Sequence, residues 1–291
     1  MDTERMNESY HDLDLWPSAG IIEAVVEANA QAVEAVRRAL AGLERAAQGV
    51  FACLARGGRL VYVGAGTSGR LALLDAAELY PTFGFERSQV LLAGGSQAWA
   101  RAQEGAEDDE AAAVDDAGRL KLGANDAVIG LAASGRTPYT LAALRFARER
   151  GAFTVGLANN PASPLLEVAE VGVLLDTGPE VLAGSTRLAA GTAQKVALNA
   201  LSTAVLVRLG GAYGNRMVGM KAVNDKLRER ALRMVADATG AAPESARDAL
   251  RRADWRIREA IVMLELDCSF EEARQRLIMA QDRVRDALAR E

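Results

Sequence analysis

Three short loops in this sequence combine small residues, hydroxyl groups and an arginine. Loop 1 is Gly64–Arg70, loop 2 is Ala133–Thr137 and loop 3 is Gly184–Arg187. Loops 1 and 2 each follow an apolar run, and all three precede a helical stretch. The N–H groups at a helix N-terminus, together with hydroxyl and guanidinium donors, attract anions. The loops therefore predict a site for an anionic, hydroxyl-rich small molecule, of which a sugar phosphate is the simplest.

Two pairs of acidic residues could move protons on such a molecule. Asp75 and Glu78 form one pair, and Glu104 and Glu107 form the other. Carboxylates spaced in this way usually lie on a solvated helix face. Glu78 differs because its neighbours are small and apolar, and because Pro81 is expected to end its helix. A partly desolvated carboxyl remains protonated to higher pH and can act as a general acid.

Histidine and cysteine chemistry has few candidates in the sequence. His11 is the only histidine, and Cys53 and Cys268 form no CxxC motif. The sequence therefore predicts no metal site and no Ser-His-Asp triad. The loop serines have no histidine to act as a base, so their expected role is hydrogen-bond donation or helix capping. These serines are Ser68, Ser134 and Ser185.

Loop 1 also matches the GxGxxG pattern of dinucleotide-binding folds. Such folds need an acidic residue about 20 residues further on, after the second strand, to hold a ribose. Here the apolar run Val90–Ala93 is followed by Gly94-Gly95-Ser96-Gln97, and no P-loop pattern occurs. The sequence favours a sugar-phosphate loop over a dinucleotide site or a plain tight turn, and it predicts no cofactor.

The overall charge argues against several partners. The chain has 291 residues, a formal net charge of −5 and a pI of about 5.3. No basic block alternates with aromatic residues, which argues against nucleic acid binding. Residues 1–14 are polar and acidic, unlike a signal peptide. No apolar run reaches the roughly 20 residues of a membrane helix. We therefore expect a cytoplasmic protein that binds neither membranes nor nucleic acid.

Hydrophobic periodicity places the loops in an alternating α/β pattern. After an irregular arm over residues 1–20, residues 21–56 predict one or two helices. The residues near helical spacing there are Ile22, Val25, Val26, Val33, Val36 and Leu40. Five apolar runs then predict strands, namely Leu60–Val63, Val90–Ala93, Ala127–Leu131, Phe153–Leu157 and Val171–Leu175. Unbroken apolar strands that alternate with helices form a parallel sheet covered on both faces, with ligands at the carboxyl ends of the strands.

The pattern after Ser185 is helical. A long helix is predicted over Thr186–Leu209 and is broken by Gly210-Gly211. A second helix is predicted from Ala222 to about Ala238. Residues 240–291 then predict two or three amphipathic helices that could form a small bundle.

Longer motifs extend these features in a fixed order over nearly the whole chain. They are Gly64–Leu71, Asp75–Glu78 with Pro81–Gly84, Glu104–Asp108, Ala132–Tyr139, Gly184–Arg187 with Gly191–Lys195, and Tyr213–Asn215. On these motifs the sequence resembles the N-acetylmuramic acid 6-phosphate etherases, members of the sugar-isomerase (SIS) domain superfamily. Several long, ordered matches make this resemblance more specific than any single glycine motif.

The resemblance implies a fold and a reaction. The α/β fold would be a three-layer SIS domain with a central parallel sheet over residues 57–230. An N-terminal arm and helices over 1–56 would precede it, and a small ubiquitin-associated-like helical bundle over 231–291 would follow. The reaction would cleave the D-lactyl ether of N-acetylmuramic acid 6-phosphate by elimination and hydration, without metal or nucleotide. The working unit would be a homodimer with its site near the subunit interface.

The resemblance also implies roles for particular residues. Glu78 and Glu107 match the family's two catalytic glutamates. We expect Glu78 to protonate the departing lactate and Glu107 to remove the proton on carbon 2. The expected substrate-binding residues are Gly66, Thr67, Ser68, Arg70, Ser134, Gly135, Arg136, Thr137, Ser185, Thr186 and Arg187.

Four positions depart from the family's usual residues. Ala77 stands where a serine usually precedes the first glutamate, and Leu79-Tyr80 stand where cysteine-proline usually follows it. Ala189 stands where a lysine is common. Ala77 and Leu79-Tyr80 alter the polarity beside Glu78. Ala189 removes a possible partner for the phosphate.

Two other functions are compatible with the same loops. A sugar-phosphate isomerase on this fold would need one base to shuttle a proton between carbons 1 and 2. A non-catalytic sugar-phosphate-binding regulator would need none. The presence of both Glu78 and Glu107 favours elimination over either alternative.

Overall fold

The computed structural model describes residues 2–101 and 103–289. The chain forms two compact units. The first combines the chain up to Ala76 with Arg87–Ser202, and the second combines Ala77–Glu86 with the chain from Thr203 onward. The division into three parts after residues 56 and 230 stays a prediction.

A parallel sheet forms the centre of the first unit. Its strands are β1 (Leu60–Gly64), β2 (Ser88–Leu92), β3 (Ala127–Ala132), β4 (Phe153–Ala158) and β5 (Val171–Leu174). They lie in the order β2-β1-β3-β4-β5. Every residue of β1 and β3 is buried, which requires cover on both faces of the sheet. The five predicted strands are therefore confirmed, with ends that shift by one or two residues.

Seven α-helices precede residue 207 in the described ranges. They are α1 (Ser18–Arg38), α2 (Leu40–Ala55), α3 (Gly66–Phe83), α4 (Glu110–Arg119), α5 (Pro138–Glu149), α6 (Pro164–Val168) and α7 (Ala189–Leu206). The helix α2 packs against β3, β4 and β5, and α5 packs against β1, β3 and β4. The predicted arm forms three short 3-10 turns before α1.

The expectation that Pro81 ends its helix is wrong. Pro81 lies inside α3, which continues to Phe83. A proline this close to a helix C-terminus removes a single backbone hydrogen bond, the one to the carbonyl four residues earlier. That carbonyl belongs to Ala77, which is exposed and can bind water instead.

The helix α1 buries small residues and exposes large apolar ones. The buried residues are Ala24, Ala32, Ala35 and Val36. Ile22 and Val26 are 63% and 64% exposed, and Val33 and, at the start of α2, Leu40 are also exposed. These four exposed residues form what we call the apolar stripe. The predicted helical spacing is confirmed, but most of the large apolar side chains face away from the core of the chain.

A buried carboxylate joins three elements of the first unit. Asp75 on α3 accepts hydrogen bonds from the Tyr62 hydroxyl of β1 at 2.7 Å and from Asn199 Nδ2 of α7 at 2.7 Å. The Ser202 hydroxyl of α7 donates a third bond at 3.1 Å. Burial, and next the charge of Asp75, raise the pKa of Tyr62 well above its ordinary value, so this hydroxyl stays a neutral donor. The prediction that such a carboxylate lies on a solvated helix face is therefore wrong for Asp75.

The second unit is helical beyond Thr203. A π-helical turn over Val207–Gly211 contains Gly210 at a φ of +83°, which matches the predicted break. The helices that follow are α8 (Asp225–Thr239), α9 (Pro243–Arg252), α10 (Ile257–Leu266), α11 (Phe270–Met279) and α12 (Val284–Ala287). Their apolar faces share one core, which confirms the predicted C-terminal helical bundle. None of the described helices is both long enough and apolar enough to cross a membrane.

A second buried carboxylate holds the start of α7. Glu180 is 0% exposed, and its two carboxylate oxygens accept hydrogen bonds from the N–H groups of Ala189 and Ala190, both at 2.9 Å. Burial raises the pKa of Glu180, and the two N–H bonds oppose that shift without cancelling it. Because Glu180 lies before loop 3 and α7 lies after it, these bonds close loop 3 at its base.

The pKa of Glu180 predicts how stability depends on pH. A carboxyl with a raised pKa in the folded state binds its proton more tightly there than in the unfolded chain. Its contribution to the free energy of unfolding therefore falls as pH rises from the ordinary value of 4.5 through the folded value. Urea unfolding of the wild type and of Glu180→Gln at several pH values measures this difference.

The difference in unfolding free energy, wild type minus variant, should decrease with rising pH. The exposed Glu23→Gln serves as the matched control and should show no such trend. A difference that stays flat or grows with pH for Glu180→Gln would contradict the assignment.

Candidate active site

Loops 1 and 2 begin at the carboxyl ends of neighbouring strands. Strands β1 and β3 pair in parallel, with Gly64 opposite Leu131. The strand order reverses at this pair, since β2 lies beyond β1 and β4 lies beyond β3. In open α/β sheets such a switch point leaves a crevice in which ligands bind. The two loops therefore line the position where this fold places a ligand.

Two glycines let loop 1 turn directly from strand into helix. A Cβ on Gly69 would lie 2.8 Å from the Gly64 carbonyl oxygen, so a larger residue would push α3 away from β1. Gly66 has a φ of +52°, a left-handed conformation that favours glycine. Thr67 and Ser68 follow in the first turn of α3, where N–H groups have no acceptor within the helix.

Arg70 of loop 1 already has protein partners. Its Nε donates to the carbonyl oxygens of Ala98 at 3.0 Å and Trp99 at 3.2 Å. These bonds tie α3 to the 3-10 turn that follows β2. Arg70 Nε is therefore engaged within the chain. The two terminal nitrogens of its guanidinium group remain for a ligand.

Loop 2 is a tight turn that places α5. Gly135 has a φ of +65°, and a Cβ there would collide with the Ser163 hydroxyl oxygen. The Ser134 hydroxyl accepts a hydrogen bond from the Arg136 N–H at 3.1 Å. Arg136 is exposed, and the Thr137 hydroxyl does not cap α5. Loop 2 therefore presents side-chain donors at the start of a helix.

Loop 3 differs from what the sequence predicts. The N–H groups of Ser185 and Thr186 donate to the carbonyl oxygens of Leu182 and Gly184, both at 2.9 Å. The next N–H groups, at the start of α7, are held by Glu180 as described above. The expectation that this helix N-terminus receives an external anion is wrong, because a carboxylate of the same chain occupies it. The hydroxyls of Ser185 and Thr186 and the exposed Arg187 remain available.

Contacts that no sequence spacing reveals bring the loops together. A Cβ on Gly191 of α7 would lie 3.6 Å from Thr67 Cγ2, so the start of α7 packs beside loop 1. Asn160 Nδ2 donates to the carbonyl of Ala133 in loop 2 and to the Thr3 hydroxyl, both at 2.8 Å. The Thr3 carbonyl in turn accepts a bond from the Gly184 N–H of loop 3 at 3.3 Å. The buried Thr3 of the N-terminal arm thus links loops 2 and 3.

Glu107 lies on a turn that packs against α5. The turn is the 3-10 segment Ala106–Asp108, and it follows Gly105, whose φ is +76°. Ala106 packs on the apolar core beside α5, and the Glu107 side chain is exposed. Because α5 begins at loop 2, this packing relates the Glu107 turn to the loop 2 helix.

Glu78 is exposed on α3, although Leu79 beside it is buried. Its apolar neighbours in the sequence therefore do not desolvate it within the single chain. The expected protection of this carboxyl from water is wrong for the chain alone.

The positive charge of the three loops comes from single arginines and not from a broad basic surface. Each of the three loops contributes one arginine in a chain of net charge −5. Within the described residues, no three side chains of His, Cys, Asp or Glu gather into an arrangement that could hold a metal ion. Hydroxyl, amide and guanidinium donors are the groups that this region offers to a ligand.

Comparison with known proteins agrees with this fold. The model described as "Glucokinase regulatory protein N-terminal SIS domain" matches residues 43–148, and the model described as "SIS domain" matches residues 109–204. A solved structure of a sugar-phosphate-bound protein from Escherichia coli CFT073 superimposes with a TM-score of 0.51 and 18% identity. The match covers 69% of this chain and 97% of that protein. At this identity the likeness shows the shared fold.

Curated relatives are much more similar in sequence. The N-acetylmuramic acid 6-phosphate etherase of Deinococcus radiodurans is 51% identical over 288 residues, which cover 98% of this chain and 94% of the relative. The etherase of Geobacillus thermodenitrificans is 52% identical over 220 residues, 75% of each chain. A match over 98% of the chain spans all three loops and both glutamate positions. The chain belongs to the N-acetylmuramic acid 6-phosphate etherase family of SIS-domain proteins.

Proposed function

We propose that this protein cleaves the D-lactyl ether of N-acetylmuramic acid 6-phosphate, giving N-acetylglucosamine 6-phosphate and D-lactate. The observation that carries the proposal is the meeting of loops 1, 2 and 3 at the sheet's switch point, in a chain of this family. The reaction would serve the recycling of cell-wall amino sugars in the cytoplasm.

The phosphate is held by donors from more than one loop. Loop 1 supplies N–H groups in the first turn of α3 and the hydroxyls of Thr67 and Ser68. Loop 2 supplies Ser134, Thr137 and the exposed Arg136. Loop 3 supplies hydroxyls because its N–H groups are engaged within the chain. Hydrogen bonds to a charged acceptor are stronger than neutral ones, which suits a site without a metal.

The chemistry proceeds by elimination and hydration. The open-chain sugar has an aldehyde, which makes the proton on carbon 2 acidic. Glu107 removes that proton as the bond between carbon 3 and the ether oxygen breaks, and Glu78 donates a proton to the departing lactate oxygen. Water then adds its oxygen to carbon 3 of the resulting double bond, and a proton returns to carbon 2. Each acid–base group contributes about 10²–10⁴-fold to the rate.

A second subunit would explain how Glu78 meets the substrate. The helix α3 runs without interruption from loop 1 to Glu78. Ten residues separate Ser68 from Glu78, about 15 Å along the helix axis, which exceeds the length of one hexose. Glu78 therefore serves a sugar whose phosphate is bound by other loops, and we place those loops in a second copy of the chain.

The apolar stripe supports a homodimer. Ile22, Val26, Val33 and Leu40 are exposed in the single chain, whereas alanines of α1 are buried. Large apolar side chains grouped on an exposed helical face mark an interaction surface. We place a second copy of this chain on the stripe, because the family that the sequence resembles is dimeric and a second copy would bring phosphate-binding loops to Glu78.

The first prediction concerns the reaction itself. Purified protein with N-acetylmuramic acid 6-phosphate should release D-lactate without added metal or nucleotide. In water labelled with ¹⁸O, the label should appear at carbon 3 of the product sugar, because hydration follows elimination. Mass spectrometry of both products measures the label. Label in lactate would contradict the mechanism, and the absence of lactate release would contradict the proposed activity.

The second prediction separates the two glutamates. Glu78→Gln and Glu107→Gln should each lower lactate release by about 10²–10⁴-fold. In deuterated water, Glu78→Gln should still exchange the proton on carbon 2, because its base is intact, whereas Glu107→Gln should not. Proton NMR of the recovered substrate measures this exchange.

Matched controls are the nearby exposed carboxylates Glu104→Gln and Glu86→Gln, which should keep full activity. The reverse exchange pattern would swap the two roles. Full activity in either catalytic variant would remove that residue from the mechanism.

The third prediction concerns the dimer. Val26→Glu places a charge within the apolar stripe and should weaken subunit association at least about tenfold, since an unpaired charge is costly to bury. Light scattering after size-exclusion chromatography measures the mass, and lactate release should fall as monomers appear. Gln31→Glu adds the same charge to another exposed position of α1 and should change neither. A monomeric Val26→Glu with full activity would show that one chain contains the whole site.

A further inference from the structure

The second unit contains an internal repeat. Residues 243–260 align with residues 270–287 without a gap, so that α9 corresponds to α11 and α10 to α12. The identical pairs are Glu244/Glu271, Ala246/Ala273, Arg247/Arg274, Leu250/Leu277, Ala253/Ala280, Arg256/Arg283, Arg258/Arg285 and Ala260/Ala287. The alanine and leucine pairs are buried in both copies, so the two halves also pack alike. Differences between the copies are therefore informative.

The turns of the two copies share an unusual backbone. Asp254 and Trp255 have φ values of +49° and +59°, and Gln281 and Asp282 have φ values of +53° and +63°. Aspartate tolerates this left-handed conformation, whereas a bulky aromatic residue rarely adopts it. Trp255 is thus held in a costly conformation where the other copy has Asp282. Strain of this kind gathers at functional positions.

A cavity of about 600 Å³ lies where these turns meet. Its volume is within the usual range for a small-molecule site. Trp255 lines it, with the Arg228 guanidinium 5.2 Å from the centre of its ring. The cationic residues of the lining are Lys221, Arg228, Arg256, Arg258 and Arg274, and the acidic ones are Asp254, Glu259 and Asp282. The cavity wall is therefore positive although the chain as a whole is negative.

Two of the cavity arginines, Arg256 and Arg274, have only distant ion-pair partners, whereas Arg258 donates a hydrogen bond to the Gly210 carbonyl oxygen at 3.0 Å. The distances from Arg256 and Arg274 to their shared partner Glu259 are 3.8 Å and 4.0 Å, too long for hydrogen bonds. In the other copy the equivalent pair, Arg283 and Asp286, is closed at 2.6 Å. Arg256 and Arg274 are thus held less closely by their carboxylate than Arg283 is by Asp286.

We propose that this cavity is a second ligand site, which binds a small phosphorylated molecule carrying at least two negative charges. Arg256 and Arg274 supply forked donors to a phosphate, and the Trp255 ring orients the Arg228 guanidinium beside them. The site lies wholly within the second unit, and it uses none of the residues proposed for the etherase reaction. The proposal is therefore independent of that reaction.

The test uses inorganic pyrophosphate as the probe and the full chain. Trp16→Phe/Trp99→Phe leaves Trp255 as the one tryptophan, so its emission reports on the cavity. Pyrophosphate at constant ionic strength should cause a saturable change, and sodium sulfate at the same ionic strength should compete weakly. Calorimetry on the chain with all three tryptophans provides the same affinity if the double variant is unstable.

Repeat symmetry supplies the matched control. Arg274→Gln should weaken pyrophosphate binding about tenfold or more, because a charge-assisted hydrogen bond is lost. Arg247→Gln removes the same charge at the equivalent position of the other copy, outside the cavity, and should leave affinity unchanged. Ser134→Ala in loop 2 should also have no effect.

Three results would overturn the proposal. They are the absence of saturable binding up to about 10 mM pyrophosphate, an equal loss in Arg274→Gln and Arg247→Gln, and a loss in Ser134→Ala. The last would place the probe at the switch point of the sheet.

Discussion

The buried carboxylate of Asp75 is the contact on which the arrangement of the loops depends. It joins β1, α3 and α7 through Tyr62, Asn199 and Ser202. Loop 1 lies at the start of α3 and loop 3 at the start of α7, so one carboxylate sets the distance between the two loops. Its loss would leave the buried Tyr62 hydroxyl without this acceptor, and an unsatisfied buried donor costs about 1–3 kcal/mol. Asp75 therefore holds β1, α3 and α7 together, and it is not one of the residues proposed to transfer protons.

Some of the hydrogen-bond donors of the loops are already bonded within the chain, and this determines which donors remain for a ligand. Glu180 occupies the N-terminus of α7, and Arg70 is engaged with two backbone carbonyls. Loop 1 keeps the N–H groups of its helix, while loop 3 keeps hydroxyls. A negatively charged protein can in this way hold an anion by a few directed bonds instead of by a broad positive field. The same arrangement leaves both proposed catalytic carboxylates exposed in the single chain.

The two units carry positive charge in different ways. In the first, each of the three loops contains a single arginine. In the second, a repeated helical hairpin gathers arginines around one cavity, and Trp255 stands at a left-handed position where the other copy has Asp282.

The sequence by itself determined the strands, most helices and the loops between them. Unbroken apolar runs such as Ala127–Ala132 can be buried only in a covered sheet, and glycines with positive φ mark the turns. These are local properties, which neighbouring residues decide. The motif matches also identified the family, since they are ordered along the chain.

The tertiary structure alone decided which faces are buried and which polar groups are paired. In α1 the alanines pack inward and Ile22 and Val26 face outward, because close packing against the core favours small side chains there. Asp75 and Thr3 are buried with partners far away in the sequence, since Asp75 and Asn199 are 124 residues apart and Thr3 and Asn160 are 157 residues apart. Glu78 is exposed for the converse reason, since its apolar sequence neighbours point elsewhere. Local spacing records which residues share a helix face, whereas burial and hydrogen bonding depend on what the folded chain places against that face.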